Sequence, residues 1–382
     1  MNVTAVICEY NILHNGHLRQ LEAIRAAYPD TVILSLMSGS FVQRGEPAIL
    51  PPYLRAEAAV RSGCDLVLEL SYPYCMSASQ YFAMGAVRIL EALGCVNHLC
   101  FGSESGSLAE LAAASERLRD DSFNAELRRR ASNGSKRYAV LRDELYRELY
   151  GENCPINPND ILGVEYLSAL AQTGSVIKPF TIKREGEDSA TACRRLYRNR
   201  DFKALEQMIP PAMLSICREH QPTDIENVVS LLLGYLRMSD PADFEGIAET
   251  GSGLEYRIAE AAGKAVSVSE LYNLLATKRY TDARLRRAVM SALLGIRKTD
   301  LEKPPSYTTV LAANAKGRAV IARMKKTSSI PVITRPGIYA SLPEPAKESF
   351  AAMLRAEGVY GLMCSPPQPY GTRLKSKPYI ET

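Results

Sequence analysis

Hydrophobic and polar positions follow one rhythm through the first half of the chain. Residues 3–8 form a short apolar run closed by Glu9-Tyr10-Asn11, and residues 31–37 form another, closed by Ser38-Gly39-Ser40. Runs at 65–70, 98–101 and 176–182 repeat the pattern. Between the first four lie segments with apolar residues at helical spacing, 18–27, 54–61 and 80–93. Strand and helix in regular alternation predict an α/β fold, a Rossmann-like doubly wound parallel sheet covered on both faces with right-handed crossovers. From about residue 198 the alternation stops, and helical spacing dominates at 225–238, 254–262 and 269–276. The expected division is an α/β unit over 1–197 and a mainly helical unit over 198–382.

Composition narrows the class without naming a function. At 382 residues, 46% hydrophobic and 23% charged, the chain supports a substantial core and lacks the bias of a disordered or repeat protein. Its longest apolar stretches, 67–70 and 229–233, are far too short to cross a bilayer, and the N-terminus shows no signal peptide pattern. Nine cysteines without a CxxC pair or repeated spacing read as reduced thiols. A soluble, cytoplasmic protein is expected. Cys95, His98 and Cys100 fit the start of a buried strand better than a metal site, and no structural metal is expected.

In doubly wound sheets the ligand site lies beyond the carboxyl ends of the strands, where the strand order reverses. The loop after the first run is Glu9-Tyr10-Asn11-Ile12-Leu13-His14-Asn15-Gly16-His17, leading straight into a helix, and it holds two of the four histidines. Gly16 lets backbone approach a ligand, and a helix start offers free N–H groups and positive potential to phosphate. Two imidazoles at that point donate hydrogen bonds to phosphate oxygens as charge builds on a pentavalent phosphorus. Walker A and GxGxxG strings are absent.

This loop resembles the HxGH nucleotidyltransferases of the HUP superfamily. The surrounding strings resemble one branch, the bacterial tRNA(Met) cytidine acetate ligases. They include Phe41-Val42-Gln43-Arg44-Gly45-Glu46-Pro47-Ala48, Arg55-Ala56-Glu57, Asp65-Leu66-Val67-Leu68-Glu69-Leu70 and Phe101-Gly102-Ser103-Glu104. Pro158-Asn159-Asp160-Ile161-Leu162-Gly163, Ile182-Lys183-Arg184 and Ser189-Ala190-Thr191-Ala192 fit further along. The resemblance implies ATP binding through the first loop, with Val6, Ile7, Cys8, Glu9, Tyr10, Asn11, Gly16 and Gln20, and through Gly102, Asn159 and Arg184. It implies that Ser189 and Thr191 occupy the hydroxyl-rich helix start that holds the β and γ phosphates, with Mg²⁺ accompanying ATP. His14 and His17 are the expected catalytic pair. The tyrosine-histidine-aspartate segment usual in the family between the last two motifs is missing from the short link joining Arg184 to Ser189.

Charge is uneven along the second half. Between Lys278 and Arg335 stand 14 basic residues against three acidic ones, an excess of +11 compared with +4 for the whole chain. Such a concentration is the footprint expected of a nucleic-acid surface. Lys278, Arg279, Arg284 and Arg287, in a string that also resembles the family, are the expected RNA contacts together with Arg44; Arg128-Arg129-Arg130 with Lys136 and Arg137 is a second cluster. The family reading implies activation of acetate as acetyl-AMP and acetylation of the wobble cytidine of elongator tRNA(Met). Two alternatives share features with it. A small-molecule adenylyltransferase has the same loop but no need of a large basic half, and a catalytically decayed tRNA-binding protein has no need of both histidines.

Overall fold

The computed structural model describes residues 1–132, 138–184, 186 and 189–381. Five parallel strands make the centre of its main sheet: β1 (Val3–Cys8), β2 (Val32–Ser38), β3 (Leu66–Leu70), β4 (His98–Ser103) and β5 (Lys178–Lys183), in the spatial order β3-β2-β1-β4-β5. The order reverses at β1. Every residue of β1, β2 and β3 is buried, as continuous apolar runs in a two-sided sheet require.

Two cores lie against the two faces. One joins Leu34, Leu68 and Leu99 to the helices Ser79–Ala92, Pro158–Thr173 and Glu344–Met363. The other joins Val6, Ile33, Val67 and Cys100 to the helices Asn15–Ala27, Pro52–Val60, Ala190–Arg198 and Pro211–Glu219. A third core, built on Leu232, Leu236, Ile258, Leu271 and Val289, belongs to the helices Val229–Met238, Leu254–Lys264, Val268–Leu275 and Asp282–Leu294. The doubly wound sheet forms, and helices predominate after residue 197.

The sheet does not end at residue 197. The second half of the chain returns β6 (Thr308–Ala313), antiparallel to β3, and then β7 (Val332–Ile333) and β8 (Tyr379–Ile380), each parallel to β6. All six positions of β6 are buried, Thr308 and Thr309 included. Helical spacing in the surrounding residues hides this strand in the sequence. Its partner supplies what the local pattern lacks, since the edge of β3 offers unpaired backbone groups that β6 satisfies.

The ends of the sheet differ in what closes them. Loops after β1, β2, β4 and β5 gather at the carboxyl end. Across the amino end runs the helix Ala315–Thr327: Asn314 donates to Asp65 just before β3 (2.9 Å), Arg323 to the Met1 carbonyl (2.9 Å), and Thr327 to the Leu93 carbonyl (2.7 Å).

Candidate active site

The histidine loop is organised by its own backbone. The helix starts at Asn15, three residues earlier than the apolar spacing indicates, because His14 caps it. His14 Nδ1 accepts from the Gly16 N–H at 3.1 Å, and His17 Nδ1 accepts from the His14 N–H at 3.2 Å. This is a capping box made with imidazoles in place of the usual hydroxyl and carboxylate. The rings lie 3.8 Å apart between centroids, inclined by 31°. With both Nδ1 atoms accepting, each neutral ring carries its proton on Nε2 and presents a donor there. A second proton on His17 is held only weakly: burial, then His14 and the Arg184 guanidinium, keep its pKa well below 6.5.

Buried neighbours fix the loop from beneath. Ile12 and Leu13 are fully buried, the Tyr10 hydroxyl pairs with Ser35 at 2.9 Å, and Asn11 Oδ1 accepts from the Ile49 N–H at 2.7 Å. Those bonds occupy the side chains of Tyr10 and Asn11. Asn15 is tied to the Met208 and Gln207 carbonyls. Arg55 is fully buried and, among the described residues, pairs with no carboxylate. Its guanidinium donates to the carbonyls of Leu50 (2.9 Å) and Ser38 (3.0 Å) and to those of Glu9 and Gly39. The loops after β1 and β2 are therefore held by one cation. Glu9 completes the link, accepting from the Gln43 N–H at 2.9 Å; burial raises its pKa, and that N–H with Arg194, Arg44 and Arg55 opposes the rise.

Beside this loop the sheet opens. Pairing of β1 with β4 stops at Val6 and Cys100, while β1–β2 pairing runs on to Cys8 and β4–β5 pairing to Ser103. The splay places the main chain of Ile7 and Cys8 opposite Phe101 and Gly102, in the crevice where doubly wound sheets bind ligands. Side chains of Val6, Ile7 and Cys8 lie in the core, so this part of the crevice is lined by backbone. Gln20 reaches Cys100 Sγ at 3.9 Å, behind the crevice.

The far wall is built from β4 and β5. Arg184 donates its N–H to the Ser103 carbonyl at 2.9 Å, and its stem lies where a Cβ on Gly102 would stand, 3.2 Å from Cγ. Asn159 is no helix cap. Its amide donates to Glu104 at 2.7 Å, while Glu104 also accepts from the Asp160 N–H (2.9 Å) and Asp160 accepts from the Glu104 N–H (3.0 Å). This exchange fixes the loop after β4 to the start of the helix Pro158–Thr173. Ser189 caps the helix Ala190–Arg198, and Thr191 accepts from Arg194 at 3.0 Å. Arg194 also donates to the Asn11 carbonyl, bringing that helix start to the histidine loop. Sequence reading missed Arg55, Arg194 and Asp160. The spacing of Arg194, three residues after Thr191 on one helix face, was the available signal for it. Glu185, Glu187 and Asp188, in the link that departs from the family, lie outside the described residues.

The expected RNA contacts separate. Arg44 is exposed at the turn between Phe41–Val42 and Glu46–Pro47, and Lys278 and Arg279 lie exposed before the helix Asp282–Leu294. Arg284 lies over the Tyr280 ring at 4.7 Å and donates to the Glu249 carbonyl at 3.3 Å. Arg287 requires correction: it is 8% exposed, paired with Glu249 at 2.8 Å and directed at the Gln43 carbonyl, so it joins elements internally and offers no surface charge. Gly45, at φ +77°, permits this junction, since a Cβ there would meet the Arg287 N at 2.4 Å. Arg129 and Arg130 pair with Glu126 and Arg130 also with Glu148, while Lys136 and Arg137 lie outside the described residues.

A doubly wound sheet whose first strand leads into a histidine-capped helix beside a splayed crevice defines a nucleotidyltransferase-type nucleotide site. The HIGH Nucleotidyl Transferase family model matches residues 1–374. Among curated proteins, the tRNA(Met) cytidine acetate ligase of Caldanaerobacter subterraneus subsp. tengcongensis is 34% identical over 386 residues, covering 95% of each chain. That of Acetivibrio thermocellus is 32% identical over 397 residues with the same coverage. The crystal structure of Thermotoga maritima TmcAL bound with alpha-thio ATP is similar at a TM-score of 0.93 and 30% identity, over 100% of this chain and 99% of that one. The chain belongs to the HIGH nucleotidyl transferase family and, within it, to the tRNA(Met) cytidine acetate ligases.

Proposed function

We propose that the protein activates acetate with ATP as acetyl-AMP and transfers the acetyl group to N4 of the wobble cytidine of elongator tRNA(Met). Acetate attacks the α-phosphorus and pyrophosphate leaves; the cytidine amine then attacks the carbonyl carbon of the mixed anhydride, loses a proton and displaces AMP. The observation that supports this most directly is the pair of adjacent, Nδ1-accepting histidines at a helix start beside the β1/β4 crevice. Their Nε2 donors stabilise charge on the α-phosphate oxygens during attack. His17 acts as a neutral donor, in keeping with its lowered pKa.

Gly102 and the main chain of Ile7 and Cys8 receive the adenosine, Asn159 orients it, and Arg184, Ser189, Thr191 and Arg194 face the phosphates. Among the described residues no three His, Cys, Asp or Glu side chains form a metal cage. Mg²⁺ arriving with ATP would take most of its ligands from phosphate oxygens and water and would neutralise charge on the phosphates. Arg44, Lys278 and Arg279 supply charge for RNA at the carboxyl end of the sheet. No helix among the described residues is long and apolar enough to cross a membrane.

Labelled pyrophosphate and acetylated RNA, followed with bulk bacterial tRNA and acetate, test the reading. Acetylation of one cytidine in a methionine tRNA, lost in His14→Ala/His17→Ala, is expected. Pyrophosphate formed only with a mononucleotide acceptor would instead indicate an adenylyltransferase, and tRNA binding without turnover a decayed site.

A further inference from the structure

The helix Ala315–Thr327 reads AKGRAVIARMKKT, with five cations and no carboxylate. Its buried side carries Gly317, Val320 and Met324; a Cβ on Gly317 would stand 2.0 Å from the Asp65 carbonyl oxygen, so the helix lies directly on the sheet. Lys316, Arg318, Lys325 and Lys326 are exposed, and Arg323 beside them is half-buried with its guanidinium on the Met1 carbonyl. None of the five forms an ion pair among the described residues. Two carboxylates at this end are already engaged: Asp65 with Arg25 (2.6 Å), the Ile33 N–H and Asn314, and Glu91 with Ser175. Asp30 stays exposed in the loop before β2.

By contrast, Arg286 and Arg287, on the helix nearer the histidine loop, are matched to Glu46 and Glu249. Five cations of the basic stretch therefore sit together at the amino end of the sheet. Strands of six or seven residues separate that end from the crevice by on the order of 20 Å. Five uncompensated cations on a single helix complement a polyanion, and a folded RNA whose target nucleotide enters the crevice extends well beyond about 20 Å.

We infer that the exposed side of Ala315–Thr327 is a second RNA-backbone surface, which binds phosphates of the tRNA remote from the nucleotide being modified. This rests on the proposed tRNA substrate. The surface contributes affinity and orientation and takes no part in chemistry.

The test is the quadruple variant Lys316→Glu, Arg318→Glu, Lys325→Glu, Lys326→Glu, with the Gln equivalents guarding against local damage to the helix and circular dichroism checking the fold. Fluorescence anisotropy reads the Kd for tRNA across a salt series, and pyrophosphate release without RNA reads the ATP site. A Kd raised roughly tenfold or more is expected, with the log–log salt slope reduced by about 0.7–0.9 for each phosphate no longer neutralised. RNA-independent pyrophosphate formation and kcat at saturating tRNA should be unchanged. An unaltered Kd and salt slope in folded variants would overturn the inference. If wild-type protein binds tRNA through this surface yet acetylates none, the substrate reading fails while the surface stands.

Discussion

The histidine loop and the basic stretch behave differently on folding. Residues 9–17 keep in three dimensions the arrangement their order suggests: two imidazoles three residues apart become close neighbours because one helical turn brings them there. Residues 278–335 do not stay together. Their charge is divided between a helix that meets the turn after β2 and a helix that lies across the opposite end of the sheet, and part of it is cancelled within the fold. A short motif closed by local hydrogen bonds keeps its chemistry, whereas a charge total over so long a stretch is redistributed by the strand that runs through it.

Removing the histidine donors should give the largest effect. His14→Ala and His17→Ala should each lower kcat for acetate-dependent pyrophosphate formation by about 10²–10³-fold, the range for losing one preorganised donor. The accompanying loss of stability should be only about 1 kcal/mol, for the lost cap. Wild-type activity in both variants would place the chemistry elsewhere.

Arg55 tests whether the loop depends on what lies beneath it. Arg55→Met leaves four carbonyls of two loops without their donor. A loss of about 3–5 kcal/mol is expected in urea denaturation, with Arg55→Lys intermediate. The basic stretch is tested by pairing Arg287→Met with Arg279→Met. The first should cost about 2 kcal/mol and leave tRNA affinity nearly unchanged in folded protein; the second should leave the melting temperature unchanged and weaken tRNA binding.

The smallest effect concerns pH. A histidine held well below 6.5 in the folded protein takes up its proton more readily when unfolded. Stability from His17 is therefore complete above about 6.5 and declines as pH falls below it. Pyrophosphate formation should be level between about pH 7 and 8, with the acid limb lying lower than an ordinary imidazole would give. A limb centred on about 6.5 and abolished by His17→Asn would show that the residue titrates normally.

The amino-acid order alone determined the five parallel strands, the helices between the first four and the crevice end of the sheet, because apolar spacing and the residues closing each run are local properties. It also marked His14 and His17 beside a strand end and helix start, while the family resemblance pointed to Gly102, Asn159 and Arg184. Only the tertiary structure decided that β6 joins the sheet, since that strand needs the edge of β3 to satisfy its backbone. The same holds for Arg55, which looks like an ordinary helix cation until four carbonyls from three separated segments surround it. Arg287 and the helix Ala315–Thr327 make the converse case. Their charges are alike in sequence, and one becomes internal and the other a surface because only packing determines which carboxylates lie within reach.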